Sequence, residues 1–388
     1  MFKLRILLKK IPIIDRWIIF KLIPVMFFSI SAFTMISLSV GVMFDLIRKV
    51  VEFGLPIVVA LKIFFLSLPS FLVIAFPMSV MLSCLLTYGN LSSNSEILAL
   101  KSLGVNNFRI VLPSLLLAIF MTFLTFVFND NLVPISNRLS TDIMQNSLGK
   151  SMSTEKGRYN ISFLKFGSII DNSTNNPIDD ASHLTHIFFS RKFLKKTMYD
   201  VTIVDLSRNG LKTLITANNA VFDDQNSIWR FSKGKFITSN DNGEVISSVV
   251  FDVYNYIFDN GPYKLAAIPK DANNMSISDT KKAQKMYELA GNLKESRRMK
   301  VRINEKITLP ISCIIFALIG SSLGIKQNIR SSKSQGFGLS IILIFSYYFL
   351  CFVFSSLGIK GILAPYLAAW IPVLISLSAG ILLILKKS

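Results

Sequence analysis

Hydrophobic and polar positions along this chain are arranged in blocks of domain size. Residues 18–128 and 307–385 are apolar, and the polar stretch between them has the length of a soluble domain. Within the blocks, apolar runs reach the ~20 residues that a helix needs to cross a bilayer. Three lie in the first block, at 22–44, 68–88 and 108–128, and three in the second, at 307–325, 337–357 and 364–385. Residues 55–66, behind Pro56 and with Lys62 inside, read as an interfacial helix ahead of the second span. Pro69 and Pro77 are expected to kink or thin that span. Gly320 and Gly324 form a G-x-x-x-G, which permits close helix contact but also arises by chance in spans that tolerate glycine.

In the polar stretch the pattern changes to that of strands. Residues 159–170, 186–190, 198–206, 211–222, 228–238 and 246–258 are rich in β-branched and aromatic side chains. Turn-forming clusters at 171–176, 209–210 and 240–243 separate several of them. This spacing predicts an antiparallel sandwich, jelly roll or related open β structure. Residues 278–300 return to a charged helical pattern, read as a stalk. The expected fold is therefore six transmembrane α-helices plus an external antiparallel β domain, β-jellyroll-like, inserted between helices 3 and 4. Its segments are 1–130 (spans 1–3), 131–276 (β domain), 277–306 (stalk) and 307–388 (spans 4–6).

Composition agrees, since 51% hydrophobic residues and a mean hydropathy of +0.51 exclude an ordinary soluble domain. Lys3, Arg5, Lys9 and Lys10 resemble the basic start of a signal peptide. The apolar run that follows exceeds the usual ~7–15 residues, so the first span reads as a retained anchor. The short loops set the orientation. Lys3, Arg5, Lys9, Lys10 and Arg16, then Lys326, Arg330 and Lys333, then Lys386 and Lys387 share one side of a six-span chain. On the other side Arg48 and Lys49 are offset by Asp45 and Glu52, and Lys360 stands alone. Both termini are expected in the cytoplasm and the β domain on the far side.

Of the net charge of +19, residues 131–303 supply 24 Lys and Arg against 17 Asp and Glu, an excess of 7. The remainder sits mostly at the cytoplasmic rim, where anionic lipid accounts for it. The basic residues are scattered rather than gathered in a stripe, which argues against a nucleic-acid partner. Cys84, Cys313 and Cys351 all fall in spans, so the β domain depends on a packed core rather than disulfides. His183 and His186 stand at i, i+3 without a third ligand, and no metal site is expected. The acidic residues near the membrane, Asp15, Asp45, Glu52, Asp130 and Glu305, lie at span edges, where a charge costs least. No convergent acid, base and nucleophile stand out, and a G-x-x-x-x-G-K-[ST] phosphate loop is absent. The chain is expected not to be an enzyme, with any energy for work supplied by another chain.

The most specific local signal is the segment 93–104 between spans two and three. Ser93 with Glu96 fits a capping box and Gly104 fits a C′ stop, predicting a short helix. Ile97, Leu98, Leu100 and Leu103 supply its apolar flank, while Glu96 and Lys101 stay polar. Glu96 has two readings: it only closes the cap, or it helps a coupling helix dock in the groove of a cytoplasmic ATPase.

The run Glu96-Ile97-Leu98-Ala99-Leu100-Lys101-Ser102-Leu103-Gly104 resembles the E-x-x-A-L-[RK]-x-x-G segment of the LptF/LptG permeases. These are membrane subunits of the lipopolysaccharide export transporter. Further matches are Tyr347-Tyr348, Leu357-Gly358 and Ala368-Ala369-Trp370-Ile371-Pro372, and also Ala217-Asn218-Asn219-Ala220 followed by Trp229 and Gly234. Val373 departs from the family, which often has Asn there, and Ile14-Asp15-Arg16-Trp17 leans toward the LptG side. The resemblance implies a half-transporter in a Gram-negative inner membrane, paired with a second LptF/LptG-like permease and driven by an LptB-like ATPase dimer. It also implies an LptC-like single-span β protein as partner. ATP and Mg would be bound by the ATPase, with no cofactor in this chain. ATPase coupling would fall to Glu96, Ile97, Leu98, Leu100 and Gly104. Basic residues near the outer end of the cavity would meet lipid A phosphates, with Arg48, Lys49, Lys62 and Arg138 as candidates. Each of these taken singly also fits a solvated interfacial charge.

The physics is consistent with that expectation. At ~0.8 kcal/mol per CH₂, exposing an acyl chain of about twelve carbons to water costs on the order of 10 kcal/mol. Such a lipid needs an ATP-driven push and an apolar path, which strands with one greasy face can provide. Two rivals remain open: another ABC-type permease or mechanotransmission subunit, and a non-transporting scaffold or sensor. The first needs the coupling helix but no greasy β interior, and the second needs no charge at Glu96.

Overall fold

The computed structural model describes residues 12–148, 158–167, 183–194, 197–209, 211–223, 228–240, 243–258, 260–267, 274–326 and 333–385. Several residues used above, namely Lys3, Arg5, Lys9, Lys10, Arg330, Lys386, Lys387 and the turn cluster at 171–176, lie outside them.

Among the described residues, six helices are long and apolar enough to cross a membrane, three before the sheet and three after it. Most run past the expected spans. α1 (Ile13–Leu38) continues through a π-helical turn at Ser39–Met43 into α2 (Phe44–Phe53), and Gly54, with φ of +65°, ends it. α3 (Ile57–Ser93) absorbs the segment expected as a separate interfacial helix and passes unbroken through Pro69 and Pro77. Pro56 is at its N-cap, where a missing N–H costs nothing, and neighbouring helices make interior prolines tolerable in a membrane. After the short α4 (Glu96–Ser102), α5 (Asn107–Val127) starts on the Asn106 side chain, which accepts the Phe108 N–H. It runs through a second π-helical turn, Phe128–Leu132, into α6 (Val133–Leu148).

Beyond the sheet come α7 (Gly261–Ala267), α8 (Ile277–Leu289), α9 (Leu293–Lys326), α10 (Lys333–Lys360) and α11 (Pro365–Leu385). The expected stalk is thus two pieces, because Gly291, at φ of +69°, breaks the helix before α9.

The membrane unit holds the described residues up to 148, the short piece 274–278, and those from 300 onward. One core of this unit joins Ile18, Leu22, Phe76, Val80, Tyr88, Ile110 and Ala317 from four spans. Gly320 and Gly324 make the close contact their spacing allows. A Cβ at Gly320 would lie 2.8 Å from the Met81 carbonyl oxygen, and one at Gly324 2.7 Å from Tyr88 Cβ. Phe20, Phe27, Phe28 and Phe345 are exposed in the single chain, as lipid-facing positions should be.

The second unit contains one antiparallel sheet in the order β1-β2-β3-β4-β5-β6, an uninterrupted meander and the open form among the expected β architectures. Its strands are Arg158–Gly167, His183–Leu194, Thr197–Arg208, Leu211–Asp223, Ile228–Asn240 and Val245–Ile257. The sheet is rolled. Phe188 on β2 and Trp229 on β5 would be about 14 Å apart in a flat sheet with ~4.8 Å strand spacing. Their ring centroids are 5.2 Å apart. Phe163 on β1 approaches Phe258, just past β6, to 6.3 Å.

The roll has a crease. In β3 the buried residues Ile203 and Val201 are followed by Met198, three positions away, so the alternation slips by one. β4 slips in the same row, between Ala217 and Ala220. Asp200 and Lys233 take positive φ values of 49° and 55° in that row. Gly234 is required beside them, since a Cβ there would meet the Thr216 carbonyl oxygen at 2.2 Å.

Replacing Gly324 by Leu overpacks the contact with Tyr88, at a cost of about 1–3 kcal/mol. We expect Gly324→Leu to lower the detergent melting temperature by several degrees. Gly338→Leu, at a position with open space, should leave it unchanged. Equal melting of the two variants would contradict the close contact.

Candidate functional site

The turn between the second and third spans is built tightly. α3 ends at Ser93, and Ser95 reverses the chain in a left-handed conformation with φ of 61°. α4 closes in a Schellman motif, in which the Gly104 N–H donates to the Lys101 carbonyl and the Val105 N–H to the Leu100 carbonyl. Gly104, with φ of +81°, is the stop that its sequence position suggests.

The capping box does not form. The Ser93 hydroxyl donates back to the Asn90 carbonyl at 3.0 Å, because Ser93 still belongs to α3. Ser95 is the actual N-cap and makes no side-chain cap bond. Glu96 is thereby released from cap duty. It receives the Lys21 ammonium on Oε2 at 2.6 Å and the Asn94 side-chain amide on Oε1 at 3.3 Å. Lys21 Nζ also lies 4.2 Å from the centre of the Trp17 ring. A cavity of about 300 Å³ beside it is lined by Lys21, Val25, Thr87, Asn90, Leu91 and Asn94.

The flank of α4 divides into two faces. Ile97 is buried in the helix core and Leu100 packs against it, so both hold α4 to the bundle. Leu98 and Leu103 are 62% and 79% exposed, an apolar pair that the bundle leaves open.

Close by, Arg109 in the first turn of α5 grips Asp15 in α1 with both terminal nitrogens, at 2.6 and 2.9 Å. Asp15 is buried, and the planar fork compensates its desolvation. At the second π-helical turn, Asn129 and the buried Lys306 exchange hydrogen bonds. The Asn129 amide donates to the Lys306 carbonyl at 3.3 Å, and Lys306 Nζ donates to the Asn129 carbonyl at 3.2 Å. Sequence reasoning missed these three contacts. A lysine or arginine inside an apolar run was the available signal, since such a charge needs a partner.

The four basic candidates are not gathered into one cluster by their contacts. Arg48 pairs with Glu52 one helical turn on, and Lys49 pairs with Asp45 one turn back, which neutralises both within α2. Lys62 is exposed on α3, and no ion pair is found for it among the described residues. Arg138, exposed on α6, donates through Nε to the Asn274 carbonyl at 3.3 Å.

In the β unit the roll is plugged by Phe188, Trp229 and Phe231, all fully buried. Under β5 and β6 it is more open. A cavity of about 250 Å³ is lined there by residues that include Phe236, Thr238, Tyr254, Tyr256 and Asp205. Tyr256 donates to Asp205 Oδ2 at 2.9 Å, a bond between strands three places apart that pins the roll. Burial opposes ionisation of Asp205. The His186 ring nitrogen at 3.3 Å and the Ser207 N–H at 2.9 Å outweigh it, and hold the carboxyl well below the usual carboxylate range. Burial, and then the Asp205 charge, push the Tyr256 phenol up. β6 is an edge strand with Val245, Ile246, Val249, Val250, Val253 and Ile257 exposed.

Together these features define a multi-pass membrane protein. It carries a rolled β domain between two sets of three spans, and a short anchored helix with an open apolar pair after the second. The chain belongs to the LptF/LptG family, whose model, described as lipopolysaccharide export system permease LptF/LptG, matches residues 17–386. It is 22% identical to the lipopolysaccharide export system permease protein LptG of Escherichia coli K12 over 370 residues, 92% of this chain and 94% of that one. The same identity holds over 384 residues for an uncharacterized protein of Rickettsia prowazekii (strain Madrid E), 95% of this chain and 96% of that one. The matched motif residues occupy structural contacts. Ala368 sits where a Cβ on Gly358 would be 2.6 Å away, Tyr347 packs on Phe316 at 4.9 Å, and the Ala-Asn-Asn-Ala run marks the crease in β4.

The depressed Asp205 fixes the sign of a pH effect. Its contribution to stability is complete above the unfolded value of about 3.9 and is lost as pH falls below it toward the folded value. In hydrogen exchange on the full chain in detergent, β3 and β6 amides should lose protection between about pH 4 and pH 2. Asp205→Asn should lose roughly 1–3 kcal/mol of protection at pH 7 and show a flatter acid response. An unchanged acid profile in Asp205→Asn would contradict this role.

Proposed function

We propose that the chain is a permease subunit of an ABC transporter that extracts lipopolysaccharide from the inner membrane and passes it into a β bridge toward the outer membrane. The observation that carries this reading is the family match along nearly the whole chain. The two structural parts then acquire tasks. In the orientation expected from the loop charges, α4 faces the cytoplasm, and Leu98 and Leu103 are the pair that enters a groove of an LptB-like ATPase dimer. Ile97, Leu100 and Gly104 keep the helix rigid and attached, so that a push on it reaches the bundle. ATP and Mg belong to that ATPase.

The β domain would lie in the periplasm and receive acyl chains. The aromatic interior under β5 and β6 suits them, because each chain left in water costs on the order of 10 kcal/mol. The β6 edge, with no further strand beside it among the described residues and with exposed valines, favours strand-to-strand continuation by the β domain of an LptC-like partner. A second LptF/LptG-like permease completes the cavity. Arg138, by its position after the third span, and Lys62 are the headgroup contacts we favour; Arg48 and Lys49 pair with Glu52 and Asp45.

In the reconstituted complex, Leu98→Asp with Leu103→Asp should reduce ATPase recovery on co-purification by tenfold or more, since burying an unpaired charge costs several kcal/mol. Membrane insertion should be unaffected. Undiminished ATPase recovery would remove α4 as the docking element.

A further inference from the structure

We propose that Lys21 is a positioning residue for energy coupling: its ion pair with Glu96 carries displacement of the coupling helix α4 into the first membrane span. This rests on the reading of α4 as the ATPase-docking helix. Lys21 lies in an apolar stretch of α1, between Phe20 and the fully buried Leu22. A lysine there would ordinarily send its ammonium to the membrane surface. Here the ammonium is held from two sides, by Glu96 Oε2 at 2.6 Å and the face of Trp17 at 4.2 Å. The pair is only part-buried. It therefore contributes modestly to stability, whereas a charged contact between a mobile element and a span can bias which position the span takes.

The surroundings fit a contact that moves. Asn94 holds the second oxygen of Glu96, so the carboxylate turns with the chain reversal at Ser95. The cavity of about 300 Å³ beside Lys21 gives its head room to follow. Thr87 Oγ1, a buried group with no hydrogen-bond partner among the described residues, belongs to a residue of the same lining and offers the ammonium a polar surface. At the other end of this region Asp15 and Arg109 clamp α1 to α5. A pull through Lys21 would therefore tilt the first span about a fixed point rather than slide it.

The test uses the complete transporter with its ATPase in proteoliposomes loaded with lipopolysaccharide, measuring lipid released per ATP hydrolysed. Lys21→Gln and Glu96→Gln should each lower that ratio about fivefold, the scale of a ~1 kcal/mol coupling. The double variant should be no worse than either single, and Lys21→Arg should stay near wild type. A wild-type ratio in Lys21→Gln with a reduced one in Glu96→Gln overturns the role of Lys21 and leaves ATPase docking intact. Losses that multiply in the double variant also overturn it, because the two residues then act separately. A wild-type ratio in Glu96→Gln overturns both the Lys21 role and the coupling reading of Glu96. Poor assembly of Lys21→Gln, with a wild-type ratio in the complexes that do form, assigns Lys21 a merely structural part and also overturns the proposal.

Discussion

Inside a bilayer no water is available to complete a hydrogen bond, and the membrane half of this protein is organised around that constraint. Ser29, Ser79, Ser83, Ser114 and Thr125 spend their hydroxyls on carbonyls of their own helix, three or four residues back. Once satisfied, they behave as small residues and let helices approach closely. Gly320 and Gly324 extend that approach, bringing α9 against Met81, Leu85 and Tyr88 of α3. Charges obey the same rule by pairing, as Asp15 does with Arg109 and Lys21 with Glu96.

The β domain solves a different problem with the same economy. A six-stranded meander has two edges and one face to bury, and without disulfides it must make its own core. Rolling does this, because it brings Phe188 of β2 onto Trp229 of β5, which stacks on Phe231 of the same strand. The roll needs a crease, and the crease needs residues that tolerate positive φ or close backbone approach. Asp200, Lys233 and Gly234 supply them in one row. The packing is dense on one side and open toward β6, which leaves room inside next to the edge strand of the described sheet.

Most of this architecture was legible in the sequence, because span length and strand alternation are local signals. Each of the six apolar runs and six strand patterns overlaps an observed helix or strand, although the ends differ, as for 22–44, which extends from α1 through the π-helical turn into α2, and 246–258 against Val245–Ile257. What stayed hidden depends on distance in space. Glu96 meets Lys21 from 75 residues away and Asp15 meets Arg109 from 94, and one sequence carries no record of such pairing. The capping box failed for a related reason. Nothing local indicates that α3 runs on through Ser93, and that extension is what shifted the cap to Ser95. The split of the α4 flank into Ile97 inside and Leu98 outside likewise needed the packing of α4 on its neighbours. In the sheet, the Ala-Asn-Asn-Ala run was visible as a motif, but its task became clear only when the alternation in β4 was seen to slip there.

On the function proposed above, lipid driven by ATP passes through the inside of the roll. Neighbouring residues on β5 test this directly, since Phe236 lines the inner cavity and Lys235 lines a separate outer groove. A photo-crosslinking residue placed at 236 in the assembled transporter should capture lipopolysaccharide only when ATP is supplied, and one placed at 235 should capture little. Equal capture at both positions, or capture at 236 that is independent of ATP, would contradict the account.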